Sequence, residues 1–396
     1  MTRSGLLLSG AALVLAACTA AADTSSDSLV PLLTTTTSVE APTTTSGASP
    51  PAEGWYVVSI TAELPEDFGA GLSSLEGVDQ VSVVRVENIE LVESRTAAGE
   101  AVDRAPEGFY VPLETHVIDA AAHGEYVPAP VADLLAGLGP GQAVLSGSSA
   151  AFRQVGNGAE LVLKDGSTLT VAGVVADEWV GAGEVVVSPE GGAALAIERE
   201  RYALVHFDGS RPELEAAVGE LTDEPVRVRG RDEVDVFRHA DAVASQIAIK
   251  EMFGEFAVQP TRGDFIEIDP EWLEANIVEV EMPLLGNDKC HRKFVAILTD
   301  VMNELERTGQ ADAIDPSSYL GCWNSRFIRG RKDLSRHAWG AAADINFGNE
   351  TDGGPGSPTN PALLEAMLAR DVLSGHAWSD PDPGHFEWFG DAPGGG

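Results

Sequence analysis

From Thr19 to about Glu53 the sequence shows no hydrophobic periodicity, and this stretch decides where a fold can begin. It is rich in Thr, Ser, Ala and Pro, with Thr34-Thr35-Thr36-Thr37 and Pro42-Thr43-Thr44-Thr45 inside it. Such a composition buries too little apolar surface to offset the entropy of ordering the chain, so residues 18–53 are read as a solvated tether. Any core must come from residue 54 onward. With 396 residues, 44% of them hydrophobic, the remainder has room for two domains.

Ahead of the tether, Met1-Thr2-Arg3-Ser4 is followed by an apolar run from Gly5 to Ala17 and then Cys18. The run is too short to span a bilayer, and with its single arginine it reads as a secretion signal over residues 1–17. Its end, Leu15-Ala16-Ala17-Cys18, resembles the bacterial lipoprotein signal. That resemblance implies a lipid on Cys18 and a place on the outer face of the cell membrane; cleavage after Ala20 or Ala22 is the alternative. No later segment has the run of roughly 18 apolar residues that a span requires, so membrane contact is expected through the anchor alone. Lys and Arg total 25 against 62 Asp and Glu, a net charge of −37, which works against nucleic acid as a partner. Setting Cys18 aside leaves Cys290 and Cys322, expected to form one disulfide in an exported chain, with two free buried thiols as the alternative.

Residues 54–245 carry short alternating or β-branched runs: Tyr56 to Ile60, Val81 to Arg85, Glu160 to Lys164, Leu169 to Val175, Glu184 to Val187 and Tyr202 to Phe207. Lys164-Asp165-Gly166-Ser167 should close a hairpin, and helical patches lie at Val131 to Leu138 and Arg211 to Leu221. The mixture predicts a separate α+β domain. The portion from Pro140 to Ser146 through Val171 to Val175 resembles the extracytoplasmic domain of bacterial transporter permeases, which implies a binding or spacing module. His116, His123 and His206 lack companions at ligand spacing and read as core or surface histidines.

Residues 259–396 change character. Phe294, Ile297, Leu298, Val301 and Leu305 recur at helical spacing, with a stop at Gly309. A second helix starts with Asn360 as N-cap and Pro361 in the first turn, carrying Leu363, Leu364, Met367 and Leu368 on one face. Between and beyond these helices lie Ser335-Arg336-His337-Ala338-Trp339-Gly340-Ala341-Ala342-Ala343-Asp344 and Asp382-Pro383-Gly384-His385-Phe386-Glu387-Trp388. A catalytic zinc site needs three N or O ligands and an open fourth position; His337, Asp344 and His385 meet that need with one Zn2+ per chain. If Asp344 to Asn346 and His385 to Glu387 are adjacent strands, alternation puts Asp344 and His385 on one face. Asp382, in the turn before the second strand, is placed to act as general base, and Glu387 is its rival or a partner of His385. His291 and His376 are read as structural or supporting.

These motifs, Ser335-x-His337-x-x-Gly340-x-Ala342-x-Asp344 and Asp382-x-x-His385-Phe386, resemble the zinc D-alanyl-D-alanine carboxypeptidases, the VanY-like peptidoglycan peptidases, over roughly residues 260 to 390. The resemblance implies a zinc peptidase domain with a small antiparallel sheet and flanking helices. It implies zinc on His337, Asp344 and His385, a catalytic carboxylate at Asp382 where many relatives have Glu, and a substrate-positioning arginine, carried by position to Arg326. The implied partner is a peptidoglycan stem peptide and the implied activity removal of a terminal D-Ala. Cutting L-Ala-D-Glu or a crosslink is an alternative within the family. The related Hedgehog signalling domain gives another, a zinc-retaining binding protein without catalysis. Arg326, Arg329, Arg331, Lys332 and Arg336 crowd into one short basic stretch suited to a carboxylate ligand, with a solvated basic loop as the alternative and the favoured reading for Arg329, Arg331 and Lys332 taken singly.

Overall fold

The computed structural model describes residues 54–60, 63–181, 183–230, 245–349, 352–376, 378 and 381–388. The signal, the tether and Cys18 lie outside them. The described residues belong to one compact unit, and among them no helix is long and apolar enough to cross a membrane.

Ten strands form one sheet. Across it the order is Val226–Gly230, Trp55–Ile60, Glu200–Phe207, Val78–Arg95, Val111–Val117, Val185–Val187, Gln142–Ser146, Thr168–Val175 and Glu160–Leu163, with Ala101–Arg104 also on Val78–Arg95. Glu160–Leu163 pairs back onto Val78–Arg95, so the strands between them close on themselves around Leu113, Leu145, Leu161, Val171 and Val187. The α+β class expected from the sequence is observed. Its dominant element, however, is this single large mixed sheet and not a small antiparallel one. The mixture comes from two parallel pairings, Val111–Val117 with Val185–Val187 and Gln142–Ser146 with Thr168–Val175. Val78–Arg95 is far longer than the Val81 to Arg85 run expected, because Glu87, Glu90 and Glu93 interrupt its apolar pattern. All three charges are answered by ion pairs, Glu93 with Arg95 and Arg104, Glu90 with Lys164, and Glu87 with Lys332.

The helix Gln246–Phe253, N-capped by the Ser245 side chain, leads from the sheet to the C-terminal part. There the helix Arg292–Arg307 buries Phe294, Leu298, Val301 and Leu305 of the expected stripe together with Met302, while Ile297 stays half-buried, and Gly309 ends it with a positive φ of 75°. That stripe packs on Leu363 and Met367 of the helix Pro361–Leu368 and on Ala343, Ile345 and Phe386. Each such large side chain contributes roughly 1.5–3 kcal/mol by leaving water. Asn360 caps the second helix as expected, accepting from the amides of Ala362 and Leu363. Leu368, expected on its inner face, is the helix's last residue and stays 62% exposed. Ala342–Asp344, Asp382–Trp388 and Val372–Gly375 form a three-stranded antiparallel sheet in that order, and this small sheet positions the site.

Candidate metal centre

Asp344 and His385 are direct cross-strand partners in the antiparallel pair Ala342–Asp344 with Asp382–Trp388, so their side chains leave the sheet together. His337 reaches them from the short turn Arg336–Trp339, which Gly340 closes at a φ of 64°. A Cβ on Gly340 would lie 2.6 Å from the His291 amide nitrogen, so only glycine lets the turn pack against the strand Gly286–His291.

Three atoms converge. His337 Nε2 is 3.2 Å from His385 Nδ1 and 3.2 Å from Asp344 Oδ1, and His385 Nδ1 is 3.1 Å from Asp344 Oδ1. Donors held about 2.0–2.1 Å from a tetrahedral zinc lie roughly 3.3–3.4 Å apart, so this triangle fits such an ion closely. The remaining ring nitrogens are committed elsewhere. His337 Nδ1 faces only the Cys322 carbonyl at 2.8 Å, so it carries the proton and Nε2 offers a lone pair. His385 Nε2 likewise donates to Glu387 Oε1 at 2.9 Å, leaving Nδ1 toward the other two atoms.

The charges of the three groups act on one another. Burial opposes the charged form of Asp344, yet hydrogen bonds from His337 and His385 override it and hold the carboxyl well below the usual carboxylate range. Burial likewise pulls His385 down, but its bonds to Asp344 and Glu387 win and raise it to about 10.

The scaffold behind these atoms is covalently tied. Cys290 and Cys322 are bonded, with Cα atoms 5.3 Å apart, as suits an oxidising compartment. Cys322 also donates its amide to Asp288 Oδ2 at 2.8 Å, which Tyr319 reaches at 2.6 Å. The backbone of Asp344 is gripped by Leu320 and Gly321 through bonds of 3.0 and 3.1 Å.

Other candidate residues fall in different places. Asp382 is the first residue of its strand and not part of a preceding turn. Arg326 is half-buried and directs its guanidinium to the Phe327 carbonyl at 3.3 Å, not to a triad residue. Arg336 lies over the Trp339 ring, 5.9 Å from its centroid. His291 is buried and caps the helix Arg292–Arg307 by accepting from the Lys293 amide; burial pushes it down to about 4. His376 is exposed. His116 and His123 are buried in the large sheet's surroundings, bonded to Glu114 and Tyr202 and to Ser82 and Trp179 respectively. His206 does have companions, Asp79 and Asp208, which sequence spacing missed because Asp79 lies on a distant strand. Their ligand atoms lie within 4.8 Å of one another, and His206 forms an ion pair with Asp79 at 2.6 Å. That group is mostly exposed where the triad of His337, Asp344 and His385 is largely buried.

No family model and no curated protein matches the chain. Among solved structures it is similar to the periplasmic region of MacB from Actinobacillus actinomycetemcomitans, with 13% identity and a TM-score of 0.31 over 45% of this chain and 89% of that one. It is also similar to the extracellular domain of the noncanonic ABC-type transporter YknZ from Gram-positive bacteria, with 16% identity and a TM-score of 0.29 over 44% of this chain and 99% of that one. The first is a periplasmic region and the second an extracellular domain.

These findings overturn the peptidase expectation. Nothing matched ties the chain to the D-alanyl-D-alanine carboxypeptidases, and the structures it resembles are transporter-associated domains. The hydrolase, metallopeptidase and carboxypeptidase readings, with the endopeptidase alternative, are withdrawn. The physical reason is that the motifs specify a set of metal donors, and a donor set is compatible with many functions. The catalytic roles expected of Asp382 and Arg326 lose their premise with it.

Proposed function

We propose that the chain is an exported metal-binding protein whose C-terminal part, residues 259–396, holds one divalent transition ion on His337, Asp344 and His385. Zinc suits the mixed imidazole and carboxylate donors best. The observation that carries the reading is the triangle of two imidazole nitrogens and a carboxylate oxygen with edges of 3.1–3.2 Å, the outer ring nitrogens already committed to the Cys322 carbonyl and to Glu387. The lipoprotein-like end at Cys18 supports tethering to the outer face of the membrane.

The test is elemental analysis and zinc titration of the purified full chain beside a His337→Ala variant. One zinc per native chain and none retained by the variant is the expected result. A native protein that binds no zinc, or a variant that keeps a full equivalent, contradicts the reading.

A further inference from the structure

The basic stretch that the sequence singled out is a small hairpin. Phe327 pairs with Leu334, the Ile328 amide donates to the Asp333 carbonyl, and the Ser335 amide donates to the Arg326 carbonyl at the base. That base is joined to the metal centre. Ser335 opens the turn Arg336–Trp339 that carries His337, and the Asn324 amide, just before the hairpin, donates to the His337 carbonyl at 3.0 Å.

The tip of the hairpin is held by the large sheet. Asn88, buried in the strand Val78–Arg95, donates through Nδ2 to Asp333 Oδ1 at 3.1 Å and to the Lys332 carbonyl at 3.3 Å. Its Oδ1 accepts from Gln246 Nε2 at 2.9 Å, and that same nitrogen reaches the buried Glu184 at 2.9 Å. Lys332 Nζ pairs with Glu87 at 3.1 Å. One contact is incomplete. Arg201 is only 2% exposed, its Nε and Nη1 have no hydrogen-bond partner among the described residues, and Asp333 Oδ2 stands 3.9 Å away. Buried unpaired N–H groups are costly, so a small shift of Asp333 toward Arg201 would be favourable in itself. Asp333 therefore stands between two partners, Asn88 within hydrogen-bond distance and Arg201 just beyond it.

We propose that the hairpin Arg326–Ser335 is a strap through which the large sheet sets the affinity of the metal centre. This rests on the metal-binding reading above. The strap joins the Asn88, Asp333 and Arg201 network at its tip to the turn bearing His337 at its base, so docking of the tip and ion binding at the base bias one another. Linkage requires the coupling to run both ways: loosening the tip weakens metal binding, and metal binding tightens the tip.

The experiment measures zinc affinity of the full chain by competition with a chromophoric chelator for the native protein, Asn88→Ala, Asp333→Ala and the double variant. Hydrogen exchange of residues 327–334 is followed in the native protein with and without zinc. Each single substitution is expected to weaken zinc binding about three- to tenfold, and the double by less than the product of the two, since the Asn88 to Asp333 bond is common to both. Zinc is expected to slow exchange at the tip. Unchanged zinc affinity in the folded variants, even if their melting temperature falls, overturns the strap while leaving the metal centre standing. A native chain that takes up no zinc overturns both. Where a substitution unfolds the chain, exchange in the native protein decides, and tip amides indifferent to zinc refute the coupling.

Discussion

Lys250→Met should destabilise the protein by about 3–5 kcal/mol, the usual cost of removing one partner from a buried ion cluster. Lys250 Nζ lies 2.8 Å from Glu184, 2.8 Å from Glu255 and 2.6 Å from the Pro112 carbonyl. Arg153 Nη2 lies 2.8 Å from the same Glu184 and 2.6 Å from Glu255. Two cations and two carboxylates thus cancel where the helix Gln246–Phe253 meets the sheet, and methionine keeps the packing of the lysine stem while leaving one negative charge unanswered. Glu255 supplies a second measure. Burial pushes its carboxyl up, but Arg153 and Lys250 override that and hold it at about 2 against an ordinary 4.5. That gap corresponds to about 3 kcal/mol. Because the folded value is the lower one, this stability is present above about pH 4.5 and is lost as pH falls toward 2. Urea unfolding at pH 7 reads the loss as a lower midpoint at unchanged slope. A companion variant, Lys250→Met with Glu184→Gln, restores neutrality and should recover part of the loss. A loss below about 1 kcal/mol for the single variant would refute the reasoning, since an unanswered buried charge cannot be that cheap.

Glu387→Ala should weaken zinc affinity about 10–100-fold, by freeing the ring whose Nε2 it now receives, as competition titration would show. Replacing Cys290 and Cys322 by alanine should cost about 3–4 kcal/mol for a bridge spanning 32 residues, measured by urea midpoint. Burial pushes His123 down to about 4 from 6.5, so its neutral form favours the fold. Stability should therefore be full above pH 6.5 and fall by about 3 kcal/mol toward pH 4, a dependence that His123→Gln should flatten in midpoints taken across that range.

Local periodicity made much of this legible in advance. The stripe Phe294, Leu298, Val301 and Leu305, the Asn360 cap and the alternation that faces Asp344 with His385 are each set within a few residues, where helical and strand geometry leave little choice. What depends on distant pairing was not legible. The length of Val78–Arg95 is hidden because its charged positions find partners only in the folded chain. Arg153, Glu184, Lys250 and Glu255 become neighbours only in the folded chain, and Asp79 meets His206 from the adjacent strand. The basic stretch read as a substrate-facing patch is in large part structural: Lys332 pairs with Glu87 and Arg326 bonds to its neighbour's carbonyl. The peptidase reading failed at a different level, since His337, Asp344 and His385 describe what can be held and not what is done with it.

The measurement that bears most directly on the metal centre is X-ray absorption at the zinc edge of the zinc-loaded full chain. A first shell of nitrogen and oxygen at about 2.0–2.1 Å, with scattering from two imidazoles and no sulfur, is the result expected of His337, Asp344 and His385. A shell containing sulfur at about 2.3 Å, or one with no imidazole scattering, would contradict it.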